Sequence, residues 1–284
     1  MKRQLVEGLI MEGKPLKVAL EAVGMAKSSY YYRPVGQRKP RALDEALFRA
    51  INEVRQGHAG VYGYRKVTMA LRAAGWTVNA KKVLRHLRAL GLTQPRKLKG
   101  QRWSRPAIIR PSICNMYWEA DLTYVWTGSA NAYLFVVIDA CDRDIIGDVF
   151  SDRCRAQEAA EALEGAVLSR FGGRVPYNRE LTLRVDRGTQ FTARNFREIA
   201  RALNVRLEYA GVQCPEDKPY IESFFGSYKT EEVYRNEYNS LAEARIRWES
   251  YRGWYRNDRL HQALWYKSPK DYDKIPCNSK LLVA

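Results

Sequence analysis

Histidine and cysteine are scarce in this chain of 284 residues, and long apolar runs are absent. It has three histidines and five cysteines, no CxxC pair occurs, and the cysteines at positions 114, 141, 154, 214 and 277 are far apart. This pattern argues against a structural zinc site and favours a reducing cytoplasm over secretion. No run of 18 apolar residues occurs, and Glu7, Glu12 and Lys14 interrupt the N-terminal segment, so we expect neither a membrane span nor a signal peptide.

Acidic residues are also scarce, but only in the first part of the chain. Residues 1–113 contain 24 Lys and Arg against 6 Asp and Glu, whereas residues 114–284 contain 24 against 25. The net charge of the whole chain is +17, so its excess lies in the N-terminal part. This asymmetry predicts a module that binds a polyanion, joined to a nearly neutral body. A basic surface that maintains solubility is the alternative.

Two small helical modules are predicted in the basic part. Residues 1–36 contain two short helices that meet at Gly24, in the pattern of a helix-turn-helix motif. Residues 42–98 form a second module of this kind, and its last helix begins after Asn79, which is a good cap residue. That helix has one apolar and one basic face, so we expect the basic face to contact DNA phosphates. Its cations are Lys81, Lys82, Arg85 and Arg88.

A basic linker leads from these modules to a mixed α/β body. Residues 99–113 are rich in proline and cations, which predicts an extended segment whose Arg102 and Arg105 follow a nucleic-acid backbone. Residues 114–274 form the body, and residues 275–284 form a tail. The body is predicted to have the order β-β-β-α-β-α-β-α, which is a five-stranded mixed sheet with helices on its faces. The predicted strands are 116–126, 132–140, 145–150, 181–185 and 206–209, and the predicted helices are 156–171, 192–204, 220–234 and 241–256.

Three carboxylates of the body are candidates for chemistry. Asp121 lies in the middle of the first predicted strand, Asp186 directly follows the fourth strand, and Glu222 lies near the start of a helix. An acid in an apolar strand is costly unless it is paired or binds a metal. Magnesium prefers oxygen ligands, and two such ions about 4 Å apart can activate an attacking oxygen and neutralise a leaving oxygen. We therefore expect these acids to hold paired Mg²⁺ for phosphodiester chemistry.

Sequence motifs surround these acids and extend along most of the chain. They are YGYR at 62–65, WEADLTYV at 118–125, DRGTQF at 186–191, PEDKPYIESFF at 215–225, YRNDRLH at 255–261 and SP at 268–269. Thirty-five residues separate Asp186 from Glu222. In these motifs and this spacing the chain resembles OrfB, the catalytic reading frame of bacterial insertion-sequence transposases, which belong to the DDE superfamily with retroviral integrases.

The resemblance implies an RNase H-like fold, in which Asp121, Asp186 and Glu222 are the catalytic and metal-binding residues. It further implies strand cleavage and strand transfer with two Mg²⁺ ions, for which Mn²⁺ can substitute. Lys229 is implied to contact DNA near the active site. The implied partners are double-stranded DNA (terminal inverted repeats and target DNA), further copies of the chain assembled on that DNA, and the product of an upstream reading frame. The implied location is the bacterial cytoplasm, in association with the nucleoid.

Two other functions remain open at the level of sequence. The chain is alternatively a non-catalytic helix-turn-helix regulator that binds DNA, or an RNase H-like nuclease that acts on RNA–DNA hybrids. Asp139, Asp142 and Asp144 form a rival acidic cluster, for which ordinary turn polarity between two strands is the favoured interpretation.

Overall fold

The computed structural model describes residues 2–32, 42–93, 111–211 and 217–273. Arg102 and Arg105 of the predicted linker, and the predicted tail at 275–284, lie outside the described residues. The chain divides into two compact units, Met1–Phe48 and Arg49–Ala284.

Three helices form most of the first unit. They are α1 (Lys2–Met11), α2 (Leu16–Val23) and α3 (Lys27–Tyr31). The predicted helix pair that meets at Gly24 is confirmed, because Gly24 ends α2 in the left-handed conformation at φ 60°. Helix α1 was not predicted, and it packs through Val6 against Ala19 and Leu20.

The next three helices follow the predicted module closely. They are α4 (Glu45–Gly57), α5 (Tyr64–Ala73) and α6 (Ala80–Ala89). The Asn79 side chain accepts a hydrogen bond from the backbone N–H of Lys81 at 2.8 Å, which confirms the predicted cap of α6. Val83 and Leu87 are buried on the apolar face of this helix.

Five strands form one mixed sheet in the second unit. They are β1 (Tyr117–Trp126), β2 (Asn131–Asp139), β3 (Ile145–Ser151), β4 (Thr182–Val185) and β5 (Arg206–Tyr209). Their order is β3-β2-β1-β4-β5; β1 pairs antiparallel with β2 and parallel with β4. An antiparallel meander followed by two parallel strands is the predicted RNase H-like arrangement.

Helices cover both faces of the sheet. They are α7 (Ala156–Phe171), α8 (Thr189–Thr192), α9 (Arg194–Ala202), α10 (Pro219–Glu231), α11 (Leu241–Asn257) and α12 (Pro269–Asp273). Alternate residues of β1 serve the two faces: Trp118 and Ala120 pack in the core that includes α7 and α9, whereas Val125 packs in the core that includes α10 and α11. Asp121 has the same parity as Val125 and so lies on the α10 face.

Two predicted helices differ from the observed ones. The helix predicted at 192–204 is observed as the shorter helix α9, and α8 before it was not predicted; Ala193 separates the two with an extended backbone at ψ 144°. The helix predicted at 220–234 ends as α10 at Glu231, and a short 3₁₀ turn at Val233–Arg235 follows. No helix in the described ranges is both long enough and apolar enough to cross a bilayer.

Candidate active site

Asp121 lies in the central strand of the sheet and is mostly buried, with 19% of its side chain exposed. One carboxylate oxygen, Oδ1, accepts the backbone N–H of Leu122 at 2.8 Å. The other, Oδ2, is 2.9 Å from the ammonium nitrogen of Lys218. Burial raises the pKa of the Asp121 carboxyl above its usual value, and the nearby charge of Lys218 opposes that shift. The local environment therefore makes a bare negative charge at Asp121 costly and a neighbouring cation favourable.

Asp186 directly follows β4, and the parallel pairing of β4 with β1 brings it towards Asp121. Its Oδ1 accepts the backbone N–H of Gly188 at 2.8 Å, and its Oδ2 lies 3.9 Å from the ammonium nitrogen of Lys218. A Cβ atom at Gly188 would lie 2.9 Å from Asp186 Oδ1 and 2.4 Å from the Gln190 side chain. A side chain at position 188 would therefore displace the end of the Gln190 side chain and press on the Asp186 carboxylate.

Lys218 is the cation that both aspartates share. The residue is only 5% exposed, although it lies in the loop before α10. Arg184 of β4 helps to hold this loop, because its Nη1 donates a hydrogen bond to the backbone carbonyl oxygen of Asp217 at 2.7 Å. A buried ammonium group between two carboxylates shows that the pocket favours positive charge.

Glu222 lies in the first turn of α10 and is exposed. The start of this helix is anchored to β1 by Glu119, whose Oε2 accepts the backbone N–H groups of Tyr220 at 3.0 Å and Ile221 at 2.8 Å. Glu119 is 1% exposed, and burial raises its pKa to about 7. Glu119 and Asp121 are two residues apart in a strand, so both lie on the face that α10 covers. The strand that carries Asp121 therefore also positions the helix that carries Glu222.

No role was predicted for Lys218 or Glu119 from the sequence. Both lie inside the motifs around the candidate acids, and the signal for Glu119 is an acid two positions before Asp121 in an otherwise apolar strand. Lys218 had no such signal, because its contacts depend on how the loop before α10 meets the sheet.

The three candidate acids come from β1, from the end of β4 and from the start of α10. Asp121 and Asp186 meet around one ammonium group. The candidate ligand atoms of all three acids do not lie within 4.8 Å of one another; in the described part of the chain only Cys114, Asp139 and Asp142 meet that criterion.

The rival cluster at the β2–β3 turn has its carboxylate oxygens already engaged. Asp139 accepts the backbone N–H groups of Asn115 at 2.6 Å and Cys141 at 2.8 Å. Asp142 accepts the backbone N–H of Asp144 at 2.8 Å and pairs with Arg170 at 2.9 Å. These contacts give both acids a structural role in holding the turn, which agrees with the interpretation of turn polarity.

Asp144, the third acid of that turn, pairs with two arginines. It lies 3.0 Å from Arg170 of α7 and 2.7 Å from Arg256 of α11. The turn is therefore joined to helices on both faces of the sheet.

The predicted DNA-contacting cations of α6 differ in exposure. Lys81 and Arg88 are exposed, whereas Lys82 and Arg85 are partly buried. Lys229 of α10 is partly buried, and its ammonium nitrogen lies 5.2 Å from the centre of the Tyr124 ring. No nucleic acid is needed to explain these positions, so DNA contact by these residues stays a prediction.

Comparison with protein families finds two domains. The integrase core domain matches residues 111–215, and a second model of the integrase core domain matches residues 203–269. An HTH-like domain matches residues 42–100.

The chain is also similar to individual proteins along most of its length. The transposase for insertion sequence element IS904 of Lactococcus lactis is 29% identical over 255 residues, which cover 85% of this chain and 98% of that protein. A putative transposase for insertion sequence element IS986/IS6110 of Mycobacterium tuberculosis is 29% identical over 252 residues, which cover 84% and 91%. Among solved structures, a chain in the simian T-cell lymphotropic virus intasome, in complex with PP2A regulatory subunit B56 gamma, has 17% identity and a TM-score of 0.47, with 80% of this chain and 75% of that chain covered.

Proposed function

We propose that this chain is a DNA transposase, a polynucleotidyl transferase. It has an integrase core domain after an HTH-like domain and is similar to insertion-sequence transposases. It cleaves DNA strands at the ends of an insertion sequence and joins them to target DNA. The observation that carries the proposal is the pair of carboxylates, Asp121 and Asp186, held around one buried cation beside the start of α10.

We propose Asp121, Asp186 and Glu222 as the catalytic, metal-binding residues. The donor set fits a hard divalent cation, because all three side chains offer carboxylate oxygens and two of them already face a positive charge. Two Mg²⁺ ions, or Mn²⁺ in their place, would polarise the phosphodiester and stabilise charge on the attacking and leaving oxygens. The Lys218 side chain has to leave the carboxylates when such a cation binds.

The other residues of the site position the reacting groups. Glu119 accepts hydrogen bonds from the first turn of α10 and so fixes the backbone position of Glu222 relative to β1. The backbone N–H of Gly188 donates to the Asp186 carboxylate and orients it beside the sheet. These contacts act on the carboxylates before any DNA arrives, which reduces the reorganisation that the reaction requires.

The basic N-terminal part is proposed to bind the DNA. In this division, residues 1–36 and 42–98 are DNA-binding modules, residues 99–113 a basic linker, and residues 114–274 the catalytic core. The proposed phosphate contacts are Lys81, Lys82, Arg85, Arg88, Arg102, Arg105 and Lys229. The proposed DNA partners are terminal inverted repeats and target DNA, bound by two or more copies of the chain, with an upstream-frame product as a further partner. Such a substrate favours a nucleoid-associated protein of the cytoplasm.

A strand-joining assay with Glu222→Gln tests this proposal. The DNA carries both ends of the element with its flanks, and Glu249→Gln, an exposed acid on α11, is the matched control. We expect joining by Glu222→Gln to fall by about 10³-fold while its DNA binding stays within about twofold of wild type, because the change removes one ligand of the reaction centre. Glu249→Gln should join normally.

Three results of the same assay would contradict the proposal. Joining by Glu222→Gln at the wild-type rate would remove Glu222 from the site. Tight binding of the ends by the wild type without cleavage in either Mg²⁺ or Mn²⁺ would favour the non-catalytic regulator. Cleavage of RNA–DNA hybrids alone would favour the nuclease.

A further inference from the structure

An aromatic groove lies beyond the candidate acids, between the end of β1 and the end of α10. Its volume is about 560 Å³, and the residues that line it include Tyr124, Trp126, Lys229 and Tyr234. Tyr124 is 60% exposed, Trp126 is 58% exposed and Tyr234 is 74% exposed. Single exposed aromatics are ordinary, but three that line one concave surface indicate a binding site.

A cation lies against these rings. The ammonium nitrogen of Lys229 is 5.2 Å from the centre of the Tyr124 ring, within the range of a cation–π interaction. The contact holds the ring in place and sets a positive charge at the groove. Aromatic faces beside a cation are the chemistry that binds unpaired nucleotides, because bases stack on the rings while the cation attracts phosphate.

The groove shares two elements with the candidate acids, because β1 and α10 each contribute residues to both. Tyr124 is three residues after Asp121 on β1, about 10 Å along the strand. Lys229 is seven residues after Glu222 on α10, which is two helical turns and again about 10 Å. Both distances correspond to roughly three steps of 3.4 Å along a stacked DNA strand.

The open edge of β1 connects the two sites. Strand alternation puts Asp121 on the α10 face of the sheet and Tyr124 and Trp126 on the opposite face. The pairing of β1 with β4 ends at Glu119, so β4 does not cover this part of β1. Lys229, from the α10 side, reaches Tyr124 past this edge. A single strand that follows this path can lay its unpaired bases on the exposed rings, whereas the bases of a duplex are already stacked on one another.

We propose that the aromatic groove binds unpaired nucleotides of the DNA strand whose phosphate lies at the acids, about three nucleotides from that phosphate. This inference rests on the proposed function, since it assumes DNA at Asp121 and Glu222. It extends that function by assigning a single-stranded substrate segment and residues that hold it. The groove acts in binding and takes no part in the chemical step.

Fluorescence anisotropy of a labelled oligo-dT with the full-length protein tests the groove without catalysis. The measurement is made in EDTA, so it does not depend on metal or joining, and at high salt, where phosphate contacts of the basic N-terminal part are weakened. We expect Tyr124→Ala and Trp126→Ala each to raise the dissociation constant about 10-fold, since each loses one base stack. Binding of a duplex of the same length should change less than about twofold.

Tyr177→Ala is the matched control, because Tyr177 is 78% exposed and also lies beside a cation, with Arg174 4.4 Å from its ring. It should bind oligo-dT as the wild type does. Quenching of tryptophan fluorescence by oligo-dT supplies a second readout and should be smaller in Trp126→Phe, which keeps an aromatic face.

Unchanged oligo-dT binding by Tyr124→Ala and Trp126→Ala would overturn the proposal, and so would a loss of binding in Tyr177→Ala alone. Equal losses for single-stranded and duplex DNA would also contradict it, because they would indicate a general electrostatic effect. A wild-type protein that binds oligo-dT through the groove but does not join DNA would contradict the proposed transposase function, and would leave only the binding of single strands by the groove.

Discussion

Lys218 is the residue whose position says most about the chemistry of the site. It places a positive charge 2.9 Å from Asp121 and 3.9 Å from Asp186, in the space where we expect a divalent cation. A divalent cation at this site would therefore compete with Lys218 for the same carboxylates. In its absence the ammonium group offsets the cost of burying their negative charge.

Replacement of Lys218 by Gln should have opposite effects on the stability of the metal-free protein and on its affinity for Mn²⁺. The variant lacks the positive charge that neutralises Asp121 and Asp186, so in EDTA its free energy of unfolding should fall by about 1–3 kcal/mol. The loss should be smaller than for a fully buried pair, because Asp186 is 43% exposed. Removal of the competing charge should lower the dissociation constant for Mn²⁺ several-fold. Urea unfolding in EDTA and calorimetric titration with Mn²⁺ measure the two changes. Weaker Mn²⁺ binding by Lys218→Gln would instead make Lys218 a supporting residue for the ion.

The contribution of Lys66 to stability should depend on pH. Its ammonium nitrogen lies 5.1 Å from the Tyr62 ring, and burial, with the charge of Arg259, lowers its pKa to about 8. In the unfolded chain the Lys66 ammonium group has its ordinary pKa of 10.5. Between pH 8 and 10.5 the unfolded state therefore binds more protons than the folded state. Stability due to Lys66 should therefore rise with pH across that range.

The comparison of wild type with Lys66→Met isolates this contribution. The difference in the free energy of unfolding should shift by up to about 3 kcal/mol in favour of the wild type between pH 8 and 10.5. Urea titrations across the range measure it. A difference that stays constant with pH would show that Lys66 keeps the same pKa in the folded and unfolded states.

At the scale of elements, the sequence predicts the strands and most helices of the second unit, and local rules account for this success. The β1, β2 and β3 segments are apolar and β-branched runs, and Gly172 ends α7 in the left-handed conformation at φ 75°. The failures need tertiary information. The break between α8 and α9 has no glycine or proline at Ala193 to signal it, and the anchoring of α10 on Glu119 depends on two segments that are 101 residues apart.

The packing of α7 on β3 depends on the absence of a side chain at Gly147. A Cβ atom there would lie 2.1 Å from the backbone oxygen of Ala162, which cannot move without moving the helix. Gly147→Ala should therefore destabilise the protein by about 3 kcal/mol or more through overpacking. Gly165→Ala, on the open side of the same helix, meets nothing within 4 Å and should stabilise it by about 0.5–1 kcal/mol. Urea unfolding of both variants checks the pair, and similar effects at the two sites would contradict this packing.

The two parts of the molecule differ in net charge, and this difference can be read directly from the sequence. The basic excess lies in residues 1–113, whereas the proposed acids lie in a body of nearly balanced charge. The distribution predicts a division between binding and chemistry, but it does not reveal how the two parts are connected. That connection depends on contacts such as the one Tyr62 makes, which no local pattern encodes.

Tyr62 joins the helices after α4 to the C-terminal end of the catalytic body. Its hydroxyl donates to the backbone carbonyl oxygen of Asp258 at 3.1 Å and accepts the backbone N–H of Leu260 at 2.8 Å, and the ring is 1% exposed. Tyr62→Phe should cost about 1–3 kcal/mol, because it leaves these two backbone groups without their partner.

Tyr64→Phe is the control for this prediction, since the Tyr64 hydroxyl meets the Arg65 side chain in an exposed contact. Its cost should be below about 0.5 kcal/mol. Chemical unfolding of the two variants measures both values. Equal losses would mean that the Tyr62 hydroxyl does not hold the two segments together.

The most direct test of the central claim is calorimetric titration of Mn²⁺ into the wild type, Asp186→Asn and Cys114→Ser. Cys114 belongs to the rival group with Asp139 and Asp142, so the two variants address the two possible ion sites separately. We expect the wild type and Cys114→Ser to bind Mn²⁺ alike, and Asp186→Asn to bind it at least about 10-fold more weakly. Full binding by Asp186→Asn together with loss in Cys114→Ser would contradict it.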